Sequence, residues 1–137
     1  MDVIFLVALF IWFTFILTGL KVGGHILCTS SIKNKEKPEI IMWSILLLLL
    51  PIYFFLGAIG KIAMLIYLLL WFVVQWFLTI RFIFLPKINK VKGYNKYFEK
   101  THHIIKPSEK KLIPDTYHIV LFTLIFLCIV MIIIQFR

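Results

Sequence analysis

Acidic residues are scarce in this chain: six Asp and Glu stand against 15 Lys and Arg, for a formal net charge of +9. Charge of either sign is scarce as well, at 15% of 137 residues, where a soluble domain carries about a quarter. Only two cysteines occur, Cys28 and Cys128. They are too far apart in sequence to read as a disulfide framework or a metal-binding thiol pair. The chain also lacks a nucleophile elbow, a phosphate-binding glycine loop, a zinc-binding histidine box and a defensible internal repeat. No Asp, Glu or Lys lies deep inside an apolar run. That disfavours proton-coupled transport, which draws on ionisable groups within the membrane.

What is present in quantity is apolar. Hydrophobic residues make up 62% of the chain and aromatic residues 17%, with 14 Phe, and the mean hydropathy is +1.01. A soluble fold of this size has too little interior to hide so much apolar surface. The expectation is an all-α integral membrane protein, a four-helix bundle forming one transmembrane domain over residues 1–137. Its spans are expected at about 3–20, 40–59, 62–85 and 116–136, joined by cytoplasmic loops 21–39 and 86–115. Each run is close to the roughly 20 helical residues that cross a bilayer. The first carries Asp2 at its start and no small-x-small cleavage pattern, so it is read as a retained span. No lipobox-like run precedes Cys28.

Pro51 lies inside the second run, where a membrane helix tolerates it as a kink. Gly60 and Lys61 are the expected turn between the second and third spans, and Pro86 the end of the third. Asp115 is placed to cap the fourth, with Pro114 just outside.

Thirteen of the 15 Lys and Arg fall in or beside the two longer connections; only Lys61 and Arg137 lie elsewhere. That asymmetry places both basic loops in the cytoplasm and both termini outside a cell membrane. Arg81, one turn inside the third span, is expected to snorkel to the interface. The basic loops also point to anionic lipid as a partner in preference to nucleic acid.

Between the third and fourth spans the pattern suits an amphipathic interfacial helix. Val91, Tyr94, Phe98 and Ile105 fall on one stripe at 100° per residue, with Lys92, Lys96, Lys100 and His103 opposite. Lys92, Lys96 and Lys100 are thereby placed to contact lipid headgroups.

All four histidines fall on the expected cytoplasmic side, and two short patterns pair them with carboxylates. Glu99 precedes His102 by three residues and His103 by four; Asp115 precedes His118 by three. Glu99, His102, His103, Asp115 and His118 are thus candidate catalytic residues, since a histidine held by a carboxylate is a common general base. Glu99, His102, Asp115 and His118 are also candidate ligands for a divalent metal, at the spacing by which helices of di-metal carboxylate proteins present theirs, and Glu36 or Glu39 could add oxygens. A purely structural account competes with both: Asp115 as a helix cap, His118 as a first-turn interface residue, and Glu99 as an intrahelical partner of His103.

Within the spans, Gln75 is expected to hydrogen-bond a neighbouring helix. Gly19 and Gly23 form a small-xxx-small pair suited to close helix contact. Three functions follow in order. The first is a non-enzymatic accessory or regulatory subunit, or a homo-oligomer, acting through helix contacts with no cofactor. The second is an enzyme at the cytoplasmic interface, acting on a lipid or lipid-linked substrate through the carboxylate and histidine groups with or without metal. The third is an oligomeric channel or transporter lined by Gln75 and threonines.

Overall fold

A computed structural model describes residues 2–35, 37–84, 100–106 and 113–136. Most of them are helical. The chain runs α1 (Asp2–Thr18), β1 (Leu20–Val22), β2 (His25–Cys28), α2 (Ser31–Asn34), α3 (Lys37–Phe55) and α4 (Gly57–Gln75). A π-helical stretch (Trp76–Ile80), α5 (Arg81–Phe84) and α6 (Thr116–Ile134) follow. Three helices, Lys37–Phe55, Gly57–Ile80 and Thr116–Ile134, are long and apolar enough to cross a membrane. α1 is an apolar helix of shorter length, 17 residues.

Together these three and α1 pack in a closed ring, α1 against α3, α3 against α4, α4 against α6 and α6 against α1. The seams repeat at helical spacing: Leu6, Leu9, Phe13 and Ile16 on α1, Met64, Leu68 and Trp71 on α4, and Leu121, Ile125, Cys128 and Ile132 on α6 are all buried. Phe13 and Trp71 meet at the centre with ring centroids 4.3 Å apart. The outward faces are apolar too; Ile4, Leu48, Leu70 and Leu78 are 64% to 69% exposed (Leu48 67%, Leu78 65%). Apolar outer faces of this kind are compatible with a membrane protein.

The first connection holds a β-hairpin that the loop assigned to 21–39 did not anticipate. β1 and β2 pair antiparallel, Val22 opposite His25 and Lys21 opposite Ile26, with an irregularity between Leu20 and Lys21. Gly23 and Gly24, at φ +56° and +84°, make the two-residue turn. Positive φ at both centres gives a turn whose twist matches that of the flanking strands. The expected helix-contact role of Gly19 and Gly23 is therefore corrected. Gly19 has φ +82° and ends α1, its N–H donating to the Phe15 carbonyl at 2.7 Å, and Gly23 lies in the hairpin turn.

α3 runs unbroken through Pro51, as a membrane helix tolerates. The turn into α4 falls at Leu56–Gly57, not at Gly60–Lys61 as expected. Gly57 adopts φ +53° there, while Gly60 is a buried helical residue. A Cβ on Gly60 would overlap the Ile52 carbonyl and lie 2.8 Å from the Tyr53 Cα. Its missing side chain is what allows α3 and α4 to touch; polarity at Lys61 suggested a break that packing does not make.

The expected interfacial helix is corrected over its described end, because residues 100–106 are irregular. The His102 N–H donates to the Ile26 carbonyl of β2 at 2.7 Å, and the Thr116 N–H to the His102 carbonyl at 2.9 Å. This segment bridges the hairpin and the start of α6 in place of continuing a helix. Val91, Lys92, Tyr94, Lys96, Phe98 and Glu99 lie outside the described residues.

Candidate functional site

The last turns of α1, the first turns of α3 and α6, and the π-helical stretch converge at one end of the ring. A cavity of about 90 Å³ opens between them, with Glu39, Gln75 and His118 as its polar lining and Phe13, Trp71 and Met42 among its apolar walls. Four separate helices supply these side chains, so the site exists only in the folded chain.

His118 is placed by the start of α6. Asp115 is the N-cap, in extended backbone, and its Oδ1 accepts from the His118 backbone N–H at 3.0 Å and from the His118 ring Nδ1 at 2.7 Å. One carboxylate oxygen thus closes the helix end and fixes the imidazole. Both groups are buried, Asp115 to 1% exposure. The two backbone and ring N–H donors, with the positive end of the helix dipole, supply what water would otherwise give that carboxylate. The second ring nitrogen, Nε2, is the atom through which a histidine held in this way can exchange a proton.

The register of α6 against α1 is pinned next door. The Trp12 indole N–H donates to the Tyr117 carbonyl at 3.3 Å, the Tyr117 hydroxyl donates to the Trp12 carbonyl at 3.1 Å, and the two rings stack at 5.5 Å. A shift of α6 along α1 would break all three contacts, so His118 is held at the cavity wall.

Gln75 enters from the last turn of α4. The Thr79 hydroxyl lies 2.6 Å from the Gln75 carbonyl and 2.9 Å from its side-chain oxygen. The expected bond from Gln75 to another helix is therefore replaced by one to its own. The π-helical stretch begins at the next residue, Trp76. π-Helical turns are rare and concentrate at functional sites. Arg81 follows that stretch, its guanidinium 5.7 Å from the Phe77 ring centroid.

Cys28, on β2 near Asp115, has its thiol pushed up from the ordinary 9.0 to about 12. Burial is the main cause; a backbone hydrogen bond with Leu20 opposes it and the charge of Asp115 adds to it. A neutral thiol is a poor nucleophile, and here it donates to the Phe15 carbonyl at 3.5 Å.

Of the residues singled out by spacing, the structure brings together Asp115 and His118. His102 and His103 are held beside α6 by other partners: His102 Nδ1 is 2.8 Å from the Thr116 hydroxyl and its ring 5.0 Å from that of His25, while His103 Nδ1 is 3.2 Å from the Pro114 carbonyl. Glu99 lies outside the described residues. Among the described residues no group of three or more His, Cys, Asp and Glu is gathered as a metal cluster would require. Of the three lysines expected at headgroups only Lys100 is described, and it is exposed.

Sequence reasoning did not place Glu39 and Gln75 opposite His118. The Gln75–Thr79 spacing of four was the available signal for Gln75; Glu39, in the first turn of α3, was read only as a possible source of metal-ligand oxygens. The hydroxyls of Thr14, Thr79 and Thr123 each donate to the carbonyl four residues earlier on their own helix. No protein-family model, curated protein or solved structure matches the chain.

Proposed function

We propose that this chain is a four-span membrane bundle, with its basic loops cytoplasmic and both termini outside, and that the Glu39, Gln75 and His118 cavity at its cytoplasmic end is its working site. There it acts by acid–base chemistry on a lipid or lipid-linked substrate. The observation that carries this reading is the buried Asp115–His118 pair on the wall of an interhelical cavity, faced by polar groups from two other helices. In that role His118 Nε2 takes a proton from a substrate hydroxyl or a water, Asp115 keeps Nδ1 protonated and oriented, and Gln75 and Glu39 position the polar group that enters. The apolar walls at Phe13, Trp71 and Met42 suit the first carbons of an acyl or isoprenoid chain.

The test uses the purified full chain in nanodiscs made from total membrane lipid, with lipid species followed by mass spectrometry. A species consumed by the wild type and spared by His118→Gln supports the reading; identical lipid profiles for both overturn it. Sidedness is read separately by labelling single cysteines introduced at Lys61 and Ile104 in a cysteine-free background. An impermeant maleimide is expected to reach Lys61→Cys in intact cells and Ile104→Cys only after permeabilisation.

A second reading, an accessory subunit or homo-oligomer acting through helix contacts, draws on α3. Of its apolar stretch 11% is buried within the chain, against 39% for α6, which leaves most of that helix available to another membrane helix. Crosslinking from Leu48→Cys, on its outer face, distinguishes a protein neighbour from lipid.

A further inference from the structure

A second pocket lies outside the helical ring, where α1 gives way to the hairpin and α2. It has a volume of about 440 Å³ and is walled by Thr18, Lys21, Thr29, Ser30, Lys33 and Asn34. We propose that it binds a phosphate group, and specifically the headgroup phosphate of an anionic membrane lipid. This inference rests on the membrane reading above but not on the chemistry assigned to His118.

The charge of the pocket is the first argument. Two lysines line it and, among the described residues, no carboxylate does. Hydrogen-bond donors accompany them. The Asn34 amide donates to the Thr29 hydroxyl at 3.3 Å, which turns the hydroxyl's own proton away from Asn34 and leaves a second amide proton to give. Ammonium, hydroxyl and amide donors around one space are what a phosphate, with its several acceptor oxygens, satisfies together.

The negative end of α1 would oppose an anion here, and the fold covers it. Ser30 Oγ donates to the Leu17 carbonyl at 2.6 Å, and the Gly19 N–H and the Cys28 thiol both donate to the Phe15 carbonyl. Two of the four terminal carbonyls that carry the dipole's partial charge, those of Phe15 and Leu17, are thereby occupied.

The source of the phosphate follows from the neighbours of the lysines. Val22 is 56% exposed beside Lys21, and Ile32 is 58% exposed beside Lys33. An exposed aliphatic next to each cation is costly in water and favourable at the boundary between headgroups and acyl chains. The end of α1, at Thr18, sets the pocket at that level in a chain whose helices cross the bilayer.

Two lysines near an anionic surface contribute about 1 kcal/mol each, so losing both corresponds to roughly a thirtyfold weaker association. The experiment is native mass spectrometry of the full chain in mild detergent, titrated with phosphatidylglycerol, phosphatidylcholine or inorganic phosphate. Wild type is expected to hold one phosphatidylglycerol in preference to phosphatidylcholine. The Lys21→Gln, Lys33→Gln double variant should lose that preference by about thirtyfold, while Lys21→Arg, Lys33→Arg and the distant Lys61→Gln keep it. Equal retention of the two lipids by wild type, or no loss in the Gln variant, overturns the proposal. Inorganic phosphate raising the unfolding temperature of wild type but not of the Gln variant, with no lipid preference, overturns the lipid source and assigns the pocket to soluble phosphate. Detergent samples have no sides and these lysines do not line the His118 cavity, so a negative result here leaves the proposed topology and acid–base site standing.

Discussion

At the end where α3 turns into α4, Phe55 is 85% exposed and Ile59 70% exposed, and the turn residues offer only backbone: the Leu56 N–H donates to the Ile52 carbonyl at 3.0 Å. At the opposite end the buried polar side chains gather, Ser31, Thr79, Thr101, Asp115, Thr116 and His118. There the hairpin, the 100–106 segment and three helix termini are joined by backbone and side-chain hydrogen bonds. The contrast is one of specification. Apolar side chains carry no directional preference, so the first end is defined by shape alone, by whether backbones can approach. The second end is defined by direction, since each buried donor needs its particular acceptor.

Four experiments sharpen that comparison, and the largest effect is expected at the polar end. Asp115→Ala removes the α6 cap and the partner of His118 together. The cap is worth about 0.5–2 kcal/mol, and a buried group left without its partner costs about 1–3 kcal/mol more. A marked fall in unfolding temperature in detergent is expected; Asp115→Asn, which keeps a capping oxygen, should recover most of the stability but not the acid–base function.

Next comes the apolar end, where Gly60→Ala must push the α3 and α4 backbones apart. The expected cost is about 1–3 kcal/mol, the range for overpacking, read as a lower unfolding temperature. Gly60→Ala as stable as wild type would remove close backbone approach as the determinant of this end.

The third effect is smaller and confined to the hairpin. Gly24→Ala forces an L residue to φ +84°, at about 1–2 kcal/mol. Hydrogen exchange at Ile26 and His102, whose backbones meet across β2, should rise ahead of exchange in α1 or α6.

The smallest is a matter of titration. Burial leaves the Cys28 thiol protonated up to about 12 in the folded chain, whereas an exposed thiol ionises near 9.0. The folded state therefore holds this proton more tightly. Its contribution to stability is complete below pH 9.0 and declines as pH rises towards about 12. Cys28→Ser should flatten the alkaline fall in unfolding temperature. Maleimide should leave Cys28 unlabelled near neutral pH until the chain unfolds, and rapid labelling of the folded chain would show that its thiol is reachable from solvent.

How far the sequence could be read differs between the two ends as well. Asp115 as a cap with His118 three residues on was legible because both lie on one helix, where spacing fixes neighbourhood. The passage of α3 through Pro51 was legible for a similar reason. The turn at Leu56–Gly57 was not: Gly57 and Gly60 are both plausible breaks by composition, and only the approach of Tyr53 and Ile52 to Gly60 decides between them. The hairpin escaped notice because its strands, of three and four residues, are too short for alternation to stand out, though Gly23–Gly24 was a turn signal in plain view.

What the sequence by itself determined is the apolar character and the segments: apolar runs of helical length, the last of them capped by Asp115, give helices of which three are long and apolar enough to cross a membrane. That follows from local composition, since each helix satisfies its own backbone. Which polar groups face one another was decided only by the tertiary structure. Glu39, Gln75 and His118 are separated by dozens of residues, and Lys21 and Lys33 by a hairpin; helix register and a glycine turn bring each set to one space, and no spacing along the chain encodes either.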